Sequence, residues 1–179
     1  MDNILPFVKK SIAVAVVLFL IRYAISSSDS LLDIPKYIGQ AISATTIIMT
    51  LYNLHLWKFN PLEKIPRIMG KYCGNIEYKF NGAYETKESV VEVKQTLLST
   101  AVKITTDEIT SNTIVSSLIK ENGDYVLYYT YITNPKSKFS EENPIQYGTC
   151  RLTVDNETEL CGTYWTSRKT VGDIHLKKC

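Results

Sequence analysis

The chain has 179 residues, a formal net charge of +2 and 45% hydrophobic residues. So small a positive surplus argues against a nucleic-acid polymer as partner. Four cysteines without a Cys-x-x-Cys pair, and two histidines far apart in sequence, His55 and His175, argue against a metal site.

The chain opens on an apolar stretch over about residues 7–26, centred on Ser11–Ile21, with Lys9 and Lys10 at its start and Arg22 near its end. A basic start, an apolar centre and the small residues Ala24 and Ser26 also fit a signal peptide. A second stretch only ten residues later favours a membrane hairpin. That second run, Tyr37–Trp57, holds no charged residue and spans about 30 Å as a helix, enough to cross a hydrocarbon core. Arg22 is close enough to a helix end to snorkel to the interface. Lys9, Lys10, Lys58, Lys64, Arg67 and Lys71 flank the outer ends, whereas the connection Ser26–Pro35 carries only Asp29 and Asp33. The positive-inside rule then places both termini in the cytoplasm of a multi-pass protein. In that compartment the four cysteines, Cys73, Cys150, Cys161 and Cys179, are expected as free thiols. Gly39, Ser43, Thr46, Thr50 and Asn53 form a small or polar face on the second span. Such a face packs either the first span or a neighbouring copy.

Asn60–Arg67 reads as a linker, its two prolines ending the helix, so residues 1–59 form the hairpin and 68–179 a separate domain. From Tyr72 the period changes to two: Tyr72, Gly74, Ile76, Tyr78 and Phe80 share a face, followed by a turn at Asn81-Gly82. Val91, Val93, Gln95 and Leu97 alternate likewise. Val102–Thr106 and Thr113–Ile119 read as strands, Asn122-Gly123-Asp124 as a hairpin turn, and Asp124–Thr133 as the most β-prone run. Asn134–Pro144 is a polar loop. Ile145–Val154, Thr158–Ser167 and Asp173–Lys177 bring the total to roughly eight strands, an antiparallel barrel or sandwich; eight strands close into a barrel that can hold one small ligand.

No hydrolase, phosphate-loop or dinucleotide fingerprint is present, so the chain reads as a non-enzyme. The adjacent acids Asp107-Glu108 and Glu141-Glu142 read as solvated surface. The segment Leu160–Leu176 stands out. On a strand, Gly162, Tyr164, Thr166 and Arg168 share one face, with Trp165 on the other. A stacking ring, a hydroxyl and a forked cation are what a nucleotide needs; the alternative is an ordinary aromatic core strand ending in a solvent-facing arginine. Arg151, Tyr131 and Tyr78 complete the candidate ligand-binding set with Arg168, Tyr164, Thr166 and Trp165.

The hairpin, Gly70–Tyr78, Leu127–Pro135 and Gly162–Gly172, in that order, resemble the two-transmembrane β-strand-rich effectors of bacterial CBASS anti-phage systems. The resemblance implies a cytoplasmic, lipocalin-like, eight-stranded β-barrel that binds a cyclic dinucleotide made by a partner nucleotidyltransferase. It further implies assembly of the membrane segments into a homo-oligomer on activation, damage to the bacterial inner membrane, and death of the infected cell. Two rival readings are a membrane-anchored carrier of an apolar molecule and an anchored scaffold with a filled barrel. The 12 tyrosines and the late-strand arginines count against the carrier.

Overall fold

The computed structural model describes residues 3–26, 30–80, 83–141 and 143–179. Asp29, the Asn81-Gly82 turn and Glu142 of the acidic pair lie outside the described residues. The chain divides into a helical unit, up to Lys64 with Thr96–Leu98, and a β unit comprising Ile65–Gln95 and Ser99–Cys179.

The helical unit holds α1 (Ile4–Ile25) and α2 (Ile34–Leu54). Pro35 opens α2 in its first turn, where a missing N–H costs nothing. Polar contacts join the helices: Arg22 Nε donates to Gln40 Oε1 at 3.0 Å and its guanidinium lies 4.9 Å from the Tyr37 ring centroid; Lys10 of α1 pairs with Glu63 in the segment that follows the second helix. α1 is long and apolar enough to cross a membrane, and none of its residues is buried. Among the described helices it is the one that meets that standard. α2, the helix of the second expected span, is the less apolar of the two and does not meet that standard. Gln40, Ser43, Thr45, Thr46, Thr50 and Asn53 dilute α2, which ends at Leu54 before a single 3₁₀ turn, Leu56–Phe59. Trp57, the last residue of the uncharged run, is buried in that turn. The buried face of α2 is Tyr37, Ala41, Thr45 and Met49. Gly39, Ser43, Thr46 and Thr50 are exposed, so the small-residue face is not the one packed within the hairpin. Asn53 differs from them: its carbonyl and Oδ1 accept the N–H groups of Leu97 and Leu98.

The β unit is a closed antiparallel barrel in sequence order: β1 (Gly70–Phe80), β2 (Ala83–Gln95), β3 (Thr100–Thr105), β4 (Ile109–Glu121), β5 (Asp124–Pro135), β6 (Tyr147–Asn156), β7 (Glu159–Thr166) and β8 (Val171–Lys178). β8 returns to pair with β1, Tyr72 opposite Lys178 and Tyr78 opposite Gly172, which removes both sheet edges. The β4–β5 hairpin turns on Asn122 (φ 50) and Gly123 (φ 106), the double positive φ that an Asn-Gly turn supplies. A bulge between Thr113 and Val115 resets the β4 register.

Alternation decides what fills the barrel. Tyr72, Leu127, Leu152, Leu160, Ile174 and Leu176 interlock as a core. The end where the chain enters is plugged. Ile68 is buried, its N–H donates to Gln95 Oε1 at 3.0 Å, Gln95 Nε2 donates to the Pro66 carbonyl, and the Tyr72 hydroxyl donates to the Ile68 carbonyl. Any interior space must lie toward the opposite end.

The cysteines do not all match expectation. Cys150 and Cys161 are free, but Cys73 and Cys179 form a disulfide. The cause is the β1–β8 seam: residues 106 apart in sequence come to a Cα–Cα distance of 5.6 Å, within bridging range.

Candidate functional site

A cavity of about 570 Å³ opens at the end of the barrel away from the plug. It falls within the 300–1,000 Å³ range of small-molecule sites. Its rim is built from the β3–β4 turn, the β5–β6 loop and the β7–β8 turn, through Glu108, Asn143 and Arg168 among others.

The deep wall is aromatic. Tyr131 on β5 and Tyr164 on β7 face inward, 7% and 9% exposed, with Tyr78 of β1 nearer the rim. Two glycines make room for these rings. A Cβ on Gly148 would lie 2.3 Å from Tyr131 Cζ and Oη, and one on Gly172 would lie 2.2 Å from the Glu77 carbonyl oxygen and 2.5 Å from Tyr164 Cε1. Gly148 on β6 stands opposite Tyr131 and Gly172 on β8 opposite Tyr164, so large and small residues alternate across the wall. Burial pushes the phenol pKa of both tyrosines well up, with nearby Cys150 and tyrosine hydroxyls adding to it. They are neutral hydrogen-bonding rings at any physiological pH. Burial also pushes the Cys150 thiol up to about 12, the opposite of an activated nucleophile.

The rim is charged. Lys79, Lys87, Arg168 and Lys169 line it against Glu85 and Glu108, four cations to two carboxylates among the described lining residues. Lys87 Nζ donates to Glu108 Oε2 at 2.6 Å, Asn143 Nδ2 donates to the same oxygen at 2.9 Å, and Tyr78 Oη donates to Glu85 Oε2 at 2.7 Å. Arg168 sits in the exposed β7–β8 turn, which is closed by Lys169 N–H to the Thr166 carbonyl at 3.0 Å, with Lys169 at φ 64. Thr166 Oγ1 accepts the Thr170 N–H within that turn.

Five of the seven expected ligand residues therefore line one cavity: Tyr78, Tyr131, Tyr164, Thr166 and Arg168. Two do not. Trp165 is 43% exposed on the outer face of β7, the necessary consequence of its standing between the inward Tyr164 and Thr166. Arg151 likewise alternates with inward Cys150 and Leu152. On the outer wall it donates through Nη2 to Glu121 Oε2 and through Nε to the Tyr128 hydroxyl, both at 2.9 Å.

Lys87, Glu85, Glu108, Asn143 and Gln146 were not anticipated. The β2 signal was present: the inward row Val91, Val93, Gln95, continued backward by twos, reaches Ser89, Lys87 and Glu85. Glu108, read as surface, is partly buried, its carboxylate accepting from Lys87 and Asn143.

A family model described as "Cap15, cyclic dinucleotide receptor domain" matches residues 63–178. The chain is also similar to CD-NTase-associated protein 15 of Staphylococcus schleiferi, at 39% identity over 180 residues, 99% of this chain and 98% of the relative.

Proposed function

Because the chain belongs to the Cap15 family of CBASS effectors, its barrel being that family's cyclic dinucleotide receptor domain, we propose that the cavity binds the messenger and that binding switches the helical unit into a membrane-damaging assembly. The observation that carries this reading is the pairing of inward tyrosines with a rim that holds two more cations than carboxylates. A cyclic dinucleotide has two bases to stack and two phosphodiester charges to neutralise. Tyr131, Tyr164 and Tyr78 are the stacking candidates; Arg168 and Thr166 are the candidates at the phosphates. An apolar cargo would instead desolvate the rim's surplus of positive charge without compensating it.

The effector role follows from what a ligand can do. It shifts an equilibrium only by its difference in affinity for the two states, so the associating state must hold the messenger more tightly. In this reading α1 and α2 form the multi-pass anchor in the bacterial inner membrane, with both termini cytoplasmic. The exposed face Gly39, Ser43, Thr46 and Thr50 of α2 is free to meet other copies, and the messenger comes from a partner nucleotidyltransferase.

The test is the melting temperature of the full chain in detergent micelles against cyclic di-AMP, cyclic di-GMP and mixed-base cyclic dinucleotides. A ligand at a hundred times its Kd stabilises the fold by about 2.7 kcal/mol. A response to one or more members is expected; a flat response across the panel removes the reading. Dye release from vesicles bearing the protein, on addition of the responding dinucleotide, tests the effector half.

A further inference from the structure

Lys87 and Glu108 are joined in a way that an ordinary surface pair is not. Lys87 lies on the inward row of β2, and its ammonium sits 5.6 Å from the Tyr78 ring centroid as well as 2.6 Å from Glu108 Oε2. Burial lowers the lysine's pKa, but its bonds to Glu108 and Tyr78 outweigh that and hold it above the usual value, so the ammonium stays charged. The carboxylate is held from a second side by Asn143 Nδ2, and the Glu108 carbonyl accepts the Lys136 N–H at 2.8 Å. One acid thus ties the inward cation to both ends of the β5–β6 loop at the rim. The Arg151–Glu121 pair has comparable geometry but faces away from the cavity and meets no ligand space.

A carboxylate and a phosphodiester present the same recognition feature: paired anionic oxygens at hydrogen-bond length from a cation and an amide donor. We propose that Lys87 is a phosphate-binding residue of the cavity and that Glu108 is its internal stand-in for the phosphate, displaced when a cyclic dinucleotide enters. The proposal rests on the ligand class assigned above and adds a residue and a competition to it. Lys87 and Asn143 are then pre-positioned donors, so the incoming phosphate exchanges with an existing partner instead of ordering a flexible side chain. Displacement also cuts the link between the β3–β4 turn and Asn143, so occupancy is transmitted to the loop at the rim.

The consequence is unusual for a residue lining a binding cavity: neutralising Glu108 should tighten binding. Glu108→Gln keeps the shape and a carbonyl oxygen for Asn143 but removes the competing charge. In the full chain in detergent, calorimetric affinity for whichever panel dinucleotide the parent binds should rise about three- to tenfold. Lys87→Met should lower it about ten- to a hundredfold, the range expected for a lost charge-assisted bond. Lys87→Arg should keep most of the affinity, which separates lost charge from lost packing. In Lys87→Met/Glu108→Gln the gain from Glu108→Gln should vanish, because there is no longer a cation to release. Each variant is compared at matched melting behaviour without ligand. Unchanged or weaker binding by a folded Glu108→Gln, or parental affinity in Lys87→Met, overturns the assignment while leaving the ligand class intact. Failure of the parent to bind any panel member overturns the ligand class and this assignment together.

Discussion

Replacing Gly148 with alanine tests the cavity wall directly. The new Cβ would stand 2.3 Å from Tyr131 Cζ and Oη, where ordinary contact begins at 3.4 Å, so the end of the ring must retreat by about 1.1 Å. The obstacle is the far end of a side chain, so the barrel can still close. Retreat is limited on one side by Tyr129, whose ring centroid is 5.9 Å from that of Tyr131, and the open direction is the cavity. Overpacking of this kind costs about 1–3 kcal/mol. At about 4–8 °C per kcal/mol for a domain near 100 residues, a 2 kcal/mol loss lowers the melting temperature by about 8–16 °C. The displaced ring also takes space from the ligand, and affinity for the responding cyclic dinucleotide should fall at least about tenfold. The assay pairs thermal melting with calorimetric titration of the full chain. Gly148→Ala/Tyr131→Val, which removes the ring, should melt higher than the sum of the two single changes predicts, because they share one clash. A Gly148→Ala protein with parental melting temperature and parental affinity would show that glycine is not needed beside Tyr131 and would refute the account of the wall.

Three further outcomes are expected. Arg168→Ala should weaken cyclic-dinucleotide binding about ten- to a hundredfold and Arg168→Lys should restore only part, since an ammonium keeps the charge but loses the fork; equal affinity for Arg168→Ala would remove the arginine from the site. The barrel should lose stability in alkali from about pH 10 upward: Tyr72 is pushed by burial to about 12 from an ordinary 10.0, and Tyr131 and Tyr164 are raised as well, so the unfolded chain releases these protons first; urea midpoints that stay level between pH 9 and 11 would contradict this. Under oxidising conditions, Cys179→Ser should lower stability by up to about 4–5 kcal/mol, the chain-entropy value for a closed loop near 100 residues, and a reductant should bring the parent to the same melting temperature as the variant; no difference between parent and variant in oxidant would mean that the bond does not form.

Most of the barrel could be read from the sequence because its signals are local. A period of two is visible over a few residues. Asn122-Gly123 specifies its own turn, and the alternation Gly162, Tyr164, Thr166 on β7 puts the three on one face of the strand, the face from which Tyr164 and Thr166, with Arg168 in the following turn, line the cavity once the barrel closes. The same alternation excludes Trp165, so its inclusion in the ligand set followed residue type against the pattern. Arg151 failed differently: with Cys150 and Leu152 on one side of β6 and Thr149, Arg151 and Thr153 on the other, the strand alone does not say which side is inner. Burial of Leu152 in the common core decides it. The second helix is the more polar of the two although the run from Tyr37 carries no charge, a difference that counting charges alone does not show.

What only the tertiary structure decided is whatever depends on closure. β1 and β8 lie about a hundred residues apart in sequence, and their pairing places Cys73 beside Cys179. The β3–β4 turn and the β5–β6 loop converge on one rim, which turns Glu108 from a surface acid into the partner of an inward lysine. Ile68 and Gln95 plug one end and leave the other open. Local sequence sets each strand's two faces, because side-chain alternation needs no partner. The choice of inner face, the contacts across the barrel and the position of the mouth arise only when the last strand hydrogen-bonds to the first and a finite set of side chains must fill the enclosed volume.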